Sequence, residues 1–326
     1  MTVELIQGLL LAFALIVILM SPYIRLLHAL GFGKQIRPDG PESHYAKAGT
    51  PTMGGLLIVA VVVGIYFFLR RAPDASTFAP IAALAGVGLL GAFDDYLNAR
   101  TGTGIRARQK LIWLTVVAFV AAWQIQRTYD ITAIAVPFVG AVAIDPAVYV
   151  IFAAFAIIAA ANGVNLTDGL DGLSGGTVAI AFVAFLLIAL LNNPAQPNLA
   201  LLCALIIGAL LGFLWFNVHP AQIFIGDSGA LSLGATLAVT ALITGQILVL
   251  PLIGIIFVIE TGSVILQVGY FRLSGGKRLF RMSPIHHHFE LSGWNEEKIT
   301  IRFWILGVLA SLLGVTLFLA SLDRLR

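Results

Sequence analysis

The chain is poor in charge. Only 11% of its 326 residues are Asp, Glu, Lys or Arg, while 59% are hydrophobic, and the mean hydropathy is +0.97. Soluble domains carry about 25% charged residues, so a water-soluble globule is excluded. Cysteine is almost missing as well. Cys203 stands alone, which excludes an intrachain disulfide, and its setting in LLCALIIGAL reads as small apolar packing. There is no soluble domain, low-complexity tract or inverted repeat. The net charge of +3 reports on membrane orientation and does not point to nucleic acid. The first hydrophobic run has no Lys or Arg before it and no small-residue cleavage site, so it reads as a retained membrane helix.

What is present is a series of apolar runs. A membrane helix needs about 20 mostly apolar residues. Ten segments approach that length: 3–23, 53–69, 77–93, 111–127, 147–163, 177–192, 198–216, 229–249, 251–271 and 300–322. The expected fold is all-α, a single polytopic integral membrane domain over 1–326 with about ten transmembrane helices. The connections after the first, third and ninth segments hold Arg25, Lys34, Arg37, Lys47, Arg100, Arg106, Arg108, Lys110, Arg272, Lys277, Arg278, Arg281, Lys298 and Arg302. Only Arg70, Arg71, Arg127, Arg324 and Arg326 fall on the opposite face. Cytoplasmic loops are the ones enriched in Lys and Arg. The basic face is therefore expected in the cytoplasm and both termini outside.

Five aspartates interrupt the apolar runs, all at the basic face: Asp94 and Asp95 in GAFDDYLNAR, Asp168 and Asp171 in NGVNLTDGLDGLSGG, and Asp227 in FNVHPAQIFIGDSG. A carboxylate near hydrocarbon is costly and is usually functional. Adjacent Asp94 and Asp95 repel each other, and a hard divalent cation, Mg2+ before others, would relieve that repulsion. In 162–172 a polar residue recurs every three positions (Asn162, Asn165, Asp168, Asp171), with glycine directly after three of them. This pattern suits a broad polar face lining a cavity. Asp227 and Ser228 could instead cap the following helix. Phe224 could stack on a planar base or simply pack. Lys47, in KAGTPTMGG, and Lys110 suit phosphate contact or interfacial anchoring, and the former segment lacks P-loop spacing. His286, His287 and His288 are adjacent, so they cannot all chelate one ion from a regular helix; contact with a phosphate or sugar fits them better. The basic loop around them is expected to lean over the aspartates, because opposite charges attract. Glu260, inside the ninth segment, reads as neutral or paired.

Taken together, KAGTPTMGG at 47–55, FDDYL at 93–97, NGVNLTDGLDGL at 162–173, FNVHPAQIFIGDSG at 216–229 and PIHHHFELSGW at 284–294 resemble the phospho-N-acetylmuramoyl-pentapeptide-transferase family. That family belongs to the polyprenyl-phosphate N-acetylhexosamine-1-phosphate transferase superfamily. One departure is Asn98, where the family often has Lys. The resemblance implies a ten-helix enzyme of the bacterial inner membrane, commonly a homodimer and Mg2+-dependent. It would move phospho-N-acetylmuramoyl-pentapeptide from UDP to undecaprenyl phosphate, giving lipid I and UMP, in one step or through a phospho-aspartate. It implies catalytic roles for Asp94, Asp95, Asp227 and Lys110, with the three aspartates as metal ligands and Asp227 foremost. It implies substrate contacts by Lys47, Asn165, Asp168, Asp171, Asn217, Phe224, Gln267 and His286 to His288. Two alternatives are a sibling transferase using UDP-N-acetylglucosamine and, from another class, a secondary transporter. One-sided clustering of the ionisable groups argues against a transporter.

Overall fold

The computed structural model describes residues 2–33, 47 and 49–323; Lys34, Arg37, Arg324 and Arg326 of the charge pattern lie outside these residues. The helices follow in order: α1 (Thr2–Ala29), α2 (Gly54–Arg70), α3 (Phe78–Thr101), α4 (Ala107–Tyr129), α5 (Pro146–Thr167), α6 (Leu173–Leu191), α7 (Pro197–Asn217), α8 (Gly226–Ile243), α9 (Leu250–Ile253), α10 (Ile255–Leu273), α11 (Ile285–Glu290) and α12 (Glu296–Asp323). Ten of them are long and match the ten apolar segments. Nine have at least 18 residues with a strongly apolar window, and α2 falls just short at 17. The chain is an all-α, multi-pass membrane protein.

One element departs from that reading. Between α4 and α5, β1 (Ala133–Val136) pairs antiparallel with β2 (Gly140–Ala143), with Ala133 opposite Ala143 and Val136 opposite Gly140. Phe138 and Gly140 turn the chain with positive φ of 67° and 101°. The strands are too short to stand out from the hydropathy. The hairpin lies beyond the C-terminus of α4, at the end of the bundle away from Lys110. Asp145 then starts α5: its carboxylate accepts from the Ala147 and Val148 amides at 2.8 and 3.3 Å, ahead of Pro146 in the first turn.

Helix α8 is the axis of the bundle. It packs against α3, α5 and α2 and is buried along nearly its whole length. A buried helix still has to satisfy its own polar side chains. Here Ser232, Thr236, Thr240 and Thr244 each donate to the carbonyl four residues earlier, at 2.6, 2.7, 2.8 and 3.0 Å. The hydroxyl stripe is thereby closed within the helix. Small residues let the neighbours approach. A Cβ on Gly55 of α2 would lie 2.1 Å from the Gly229 backbone, and one on Gly91 of α3 would lie 2.3 Å from the Asp227 carbonyl oxygen. These contacts press the cytoplasm-predicted ends of α2 and α3 against the start of α8, where Asp94, Asp95 and Asp227 sit.

Candidate active site

The five aspartates do not form one cluster. The first group is built on α3, α4 and α8. The Lys110 ammonium lies 2.7 Å from Asp94 Oδ2 and also bonds Asp227 Oδ2. The Ile105 amide donates to Asp94 Oδ1. Asp95 faces a different task. Its Oδ1 accepts from the Asp227 amide at 3.0 Å and its Oδ2 from the Ser228 amide at 3.1 Å. The free N–H groups at the start of α8 are thus capped by a carboxylate from α3, which also suits the positive end of the helix dipole. The expectation that Asp227 and Ser228 cap α8 themselves gives way to this arrangement. Both Asp95 oxygens are engaged on α8, whereas Asp94 and Asp227 point their carboxylates at a shared cation.

The second group centres on Asp171, in the turn between α5 and α6. Lys47 Nζ lies 2.8 Å from Asp171 Oδ1 and 2.6 Å from Glu296 Oε1. His219 Nδ1 lies 2.9 Å from Asp171 Oδ2, which also accepts from the Ala221 amide at 3.0 Å. Glu296 Oε1 accepts from the Asp171 amide at 2.5 Å. Burial pulls the Lys47 pKa down, but Glu296 and Asp171 outweigh it and hold Lys47 above its ordinary value. Burial pushes Asp171 up, and the bonds from Lys47, Ala221 and His219 outweigh it, leaving Asp171 below the usual carboxylate range. Glu296 and His219 were not among the expected site residues. His219 stands in the quoted FNVHPAQIFIGDSG, while Glu296 precedes the last apolar run and carries no motif signal. Asp171, His219 and Glu296 place ligand atoms within 4.8 Å of one another, and the Lys47 ammonium lies against both carboxylates, offsetting one of their two charges.

Other expected contacts have structural work. Asn217 accepts from the Gly172 amide at 3.1 Å and donates to the Ile223 carbonyl at 2.8 Å, tying two turns together. Gln267 accepts from the Leu279 and Phe280 amides at 3.1 and 2.9 Å and donates to the Phe280 carbonyl at 3.2 Å, which anchors the 274–284 loop to α10. Both amides are therefore engaged by backbone. Asp168 accepts from Ser174 Oγ at 2.6 Å. Asn165 is half-buried at the end of α5.

The three histidines stand on α11 and take different partners, although the His286 and His287 rings touch, with centroids 4.1 Å apart. His286 is fully buried against Glu260, His287 bonds Glu290 at 2.6 Å, and His288 Nδ1 accepts from the Arg281 amide at 3.1 Å. The loop does not lean over the Asp94 group. His286 packs on Gly169 in the Asp168–Asp171 turn, Arg278 and Arg281 bond backbone carbonyls of their own region, and among the described residues no Lys or Arg of this loop pairs with an aspartate. Local backbone acceptors are closer than the aspartates and win.

A strap joins the two groups. Residues 50–55 run beside 224–225, with Phe224 N donating to Pro51 O at 2.8 Å and Gly54 and Gly55 donating to Phe224 and Ile225 at 2.9 and 2.8 Å. Phe224 is buried here. The strap starts near Lys47, in the Asp171 group. At Gly226 it meets the Asp94 group: φ is +71°, and a Cβ would lie 2.5 Å from Asp95 Oδ2 and 2.8 Å from Thr52 Oγ1. A ligand gripped by both groups would lie along this strap.

Comparison with known proteins adds the family. The model described as Glycosyl transferase family 4 matches residues 77–245, and the phospho-N-acetylmuramoyl-pentapeptide-transferase signature 1 matches 47–59, covering Lys47 and the strap. The phospho-N-acetylmuramoyl-pentapeptide-transferase of Chloroflexus aggregans (strain MD-66 / DSM 9485) is 41% identical over 94% of this chain and 88% of its own length. That of Chloroflexus aurantiacus (strain ATCC 29366 / DSM 635 / J-10-fl) is also 41% identical, with the same coverage. That of Desulfosudis oleivorans (strain DSM 6200 / JCM 39069 / Hxd3) is 43% identical over 93% of this chain and 89% of its own length. With that identity along almost the whole length of both partners, and with the signature lying on the strap that links the two polar groups, the chain belongs to the phospho-N-acetylmuramoyl-pentapeptide-transferase family of membrane glycosyl-1-phosphate transferases.

Proposed function

We propose that this protein transfers phospho-N-acetylmuramoyl-pentapeptide from its UDP carrier to undecaprenyl phosphate, releasing UMP and forming lipid I for peptidoglycan. The observation that carries the reading is the Lys110 ammonium held between Asp94 and Asp227, at the end of the strap that bears the family signature. Phosphoryl transfer depends on positioning and charge neutralisation more than on covalent help from protein. Both substrates are anionic and one is embedded in lipid, so a site at a helix-bundle rim suits them. We place that rim on the cytoplasmic face of the bacterial plasma membrane, where the Lys and Arg pattern puts it.

The donor set fits Mg2+. Two carboxylates, Asp94 and Asp227, converge on the Lys110 ammonium, and a third, Asp95, lies beside them on the backbone amides of α8. Hard oxygen ligands and excess negative charge are what that ion requires. Asp227 and Asp94 would hold it, while Asp95 stays on α8. When bound, Mg2+ supplies charge neutralisation at the pyrophosphate. Asp95 fixes the start of α8 and so the height of Asp227. Lys110 brings a mobile positive charge to where negative charge grows on the departing UMP. Lys47 and Asp171, with the 162–173 turn and Phe224, orient the sugar nucleotide, and the α11 histidines bound that side.

The test is UMP release by purified protein supplied with UDP-N-acetylmuramoyl-pentapeptide and undecaprenyl phosphate, with UDP-N-acetylglucosamine in a parallel reaction. Turnover of the muramoyl substrate is expected. Turnover of UDP-N-acetylglucosamine alone would assign the protein to the sibling reaction.

A further inference from the structure

Glu260 lies within α10 with no exposed surface. A carboxylate in such a place has to be paired. Its Oε2 lies 3.0 Å from His286 Nδ1, and His286 is equally buried. In the neutral imidazole, the tautomer that donates to this carboxylate carries its proton on Nδ1. That leaves Nε2 as an acceptor. Neither His286 Nε2 nor Glu260 Oε1 has a hydrogen-bond partner in the protein.

The orphaned nitrogen is aimed at one place. A Cβ built on Gly169 would lie 2.1 Å from His286 Nε2 and 2.7 Å from its Cε1. Gly169 is not among the glycines with positive φ, so the ring, and not backbone dihedrals, requires glycine there. Gly169 follows Asp168 and lies two residues before Asp171, the partner of Lys47. The imidazole edge therefore rests on the backbone of the turn that carries both aspartates. Its orientation is set from behind by one carboxylate on a different helix.

We infer that Glu260 is a positioning residue, which through the His286 ring fixes the 168–171 turn against α10. This rests on the reading of that turn as part of the sugar-nucleotide site. The Asp94, Lys110 and Asp227 group is held by α3, α4 and α8, so the effect falls on substrate binding more than on the chemical step.

Two measurements test it together on full-length protein in lipid nanodiscs. The first is the tautomer of His286, read by nitrogen NMR on histidine-labelled protein and assigned by its loss in His286→Gln. The second is steady-state kinetics with the sugar nucleotide varied. Wild type should show a neutral ring protonated on Nδ1. Glu260→Gln, whose amide can donate as well as accept, should mix the tautomers. KM for UDP-N-acetylmuramoyl-pentapeptide should rise roughly 10- to 100-fold, the scale at which loss of a carboxylate that orients a histidine is felt, with a smaller change in kcat. Gly169→Ala reaches the same contact from the other side and should raise KM likewise. His286→Ala should cancel that increment, because residues in contact are non-additive. An unchanged tautomer in Glu260→Gln, or an unchanged KM, overturns the inference. If wild type turns over neither nucleotide sugar, the proposed function fails, and the tautomer comparison alone decides the role of Glu260.

Discussion

Replacing Gly91 with alanine tests the site geometry without touching an ionisable group. The new Cβ would stand 2.3 Å from the Asp227 carbonyl oxygen and 2.5 Å from the Ser228 nitrogen. Both are backbone atoms of α8 and cannot rotate away. Ordinary contact begins near 3.4 Å, so α3 must retreat from α8 by about 1 Å. Asp95 rides on the next turn of α3. Its bonds of 3.0 and 3.1 Å to the Asp227 and Ser228 amides would lengthen to about 4 Å, beyond hydrogen-bond range. Bonds to a charged group contribute about 1.5–3 kcal/mol each, so the start of α8 should lose several kcal/mol of anchoring. Asp94 would move away from Lys110 and Asp227 as well. A displacement of about 1 Å at a reacting centre lowers rate on the order of a hundredfold. Gly86→Ala is the control, since its Cβ would meet only Val117 Cγ1 at 4.0 Å. Alanine also favours helix over glycine by about 1 kcal/mol, so the control should be neutral or slightly stabilised. The assay is UMP release beside thermal unfolding in detergent. Gly91→Ala turning over like Gly86→Ala would refute the claim that the α3–α8 contact sets the site.

Asp227→Asn keeps size but removes charge, and transfer should fall about a hundredfold or more with normal membrane insertion; near-wild-type turnover at equal Mg2+ concentration would remove Asp227 from the metal site. Lys47→Met leaves the buried Asp171 and the half-buried Glu296 without their shared cation and should destabilise by about 3–5 kcal/mol, whereas Lys47→Met with Glu296→Gln should recover part of the loss; equal melting temperatures for the two variants would contradict this. The same pair predicts a pH window. Asp171 is depressed, so its contribution is present above the ordinary carboxylate value of about 3.9 and is lost only as pH falls through the lower folded value. Lys47 is raised, so its contribution is complete below about 10.5 and is lost only as pH rises through the folded value. Stability of the Lys47 contact should therefore be flat across neutral pH, and a melting-temperature step near pH 7 that vanishes in Lys47→Met would sink that expectation. Finally, a cysteine at Ser283 with Cys203 replaced should resist impermeant thiol reagents in intact cells and label in inverted vesicles, and labelling in intact cells would reverse the orientation.

Sequence alone determined the bundle. Ten apolar runs of helix length leave the backbone one way to satisfy its polar groups in lipid, and each long helix coincides with one run, although α1 and α3 continue to Ala29 and Thr101, beyond 23 and 93, and α8 stops short of 249 at Thr244 and the turn after it. The acidic and histidine motifs were equally legible, because a charge among apolar residues stands out in one dimension. What sequence could not settle was how those charges are shared. Asp94 and Asp95 are neighbours in the chain, yet only the packing of α3 on α8 sends one to a lysine and the other to backbone amides. Lys47 looks like a free phosphate ligand until Glu296, 249 residues away, arrives beside it at the start of α12. The three adjacent histidines meet three different partners, Glu260, Glu290 and the Arg281 amide, because different elements pack around α11. Asn217 and Gln267 read as ligand contacts, but a buried amide takes whichever backbone partners its neighbours leave open. Hydropathy is a property of the residues and their order, and so it fixes the helices. Pairing of polar groups depends on distance across helices far apart in sequence, so only the tertiary structure decided it.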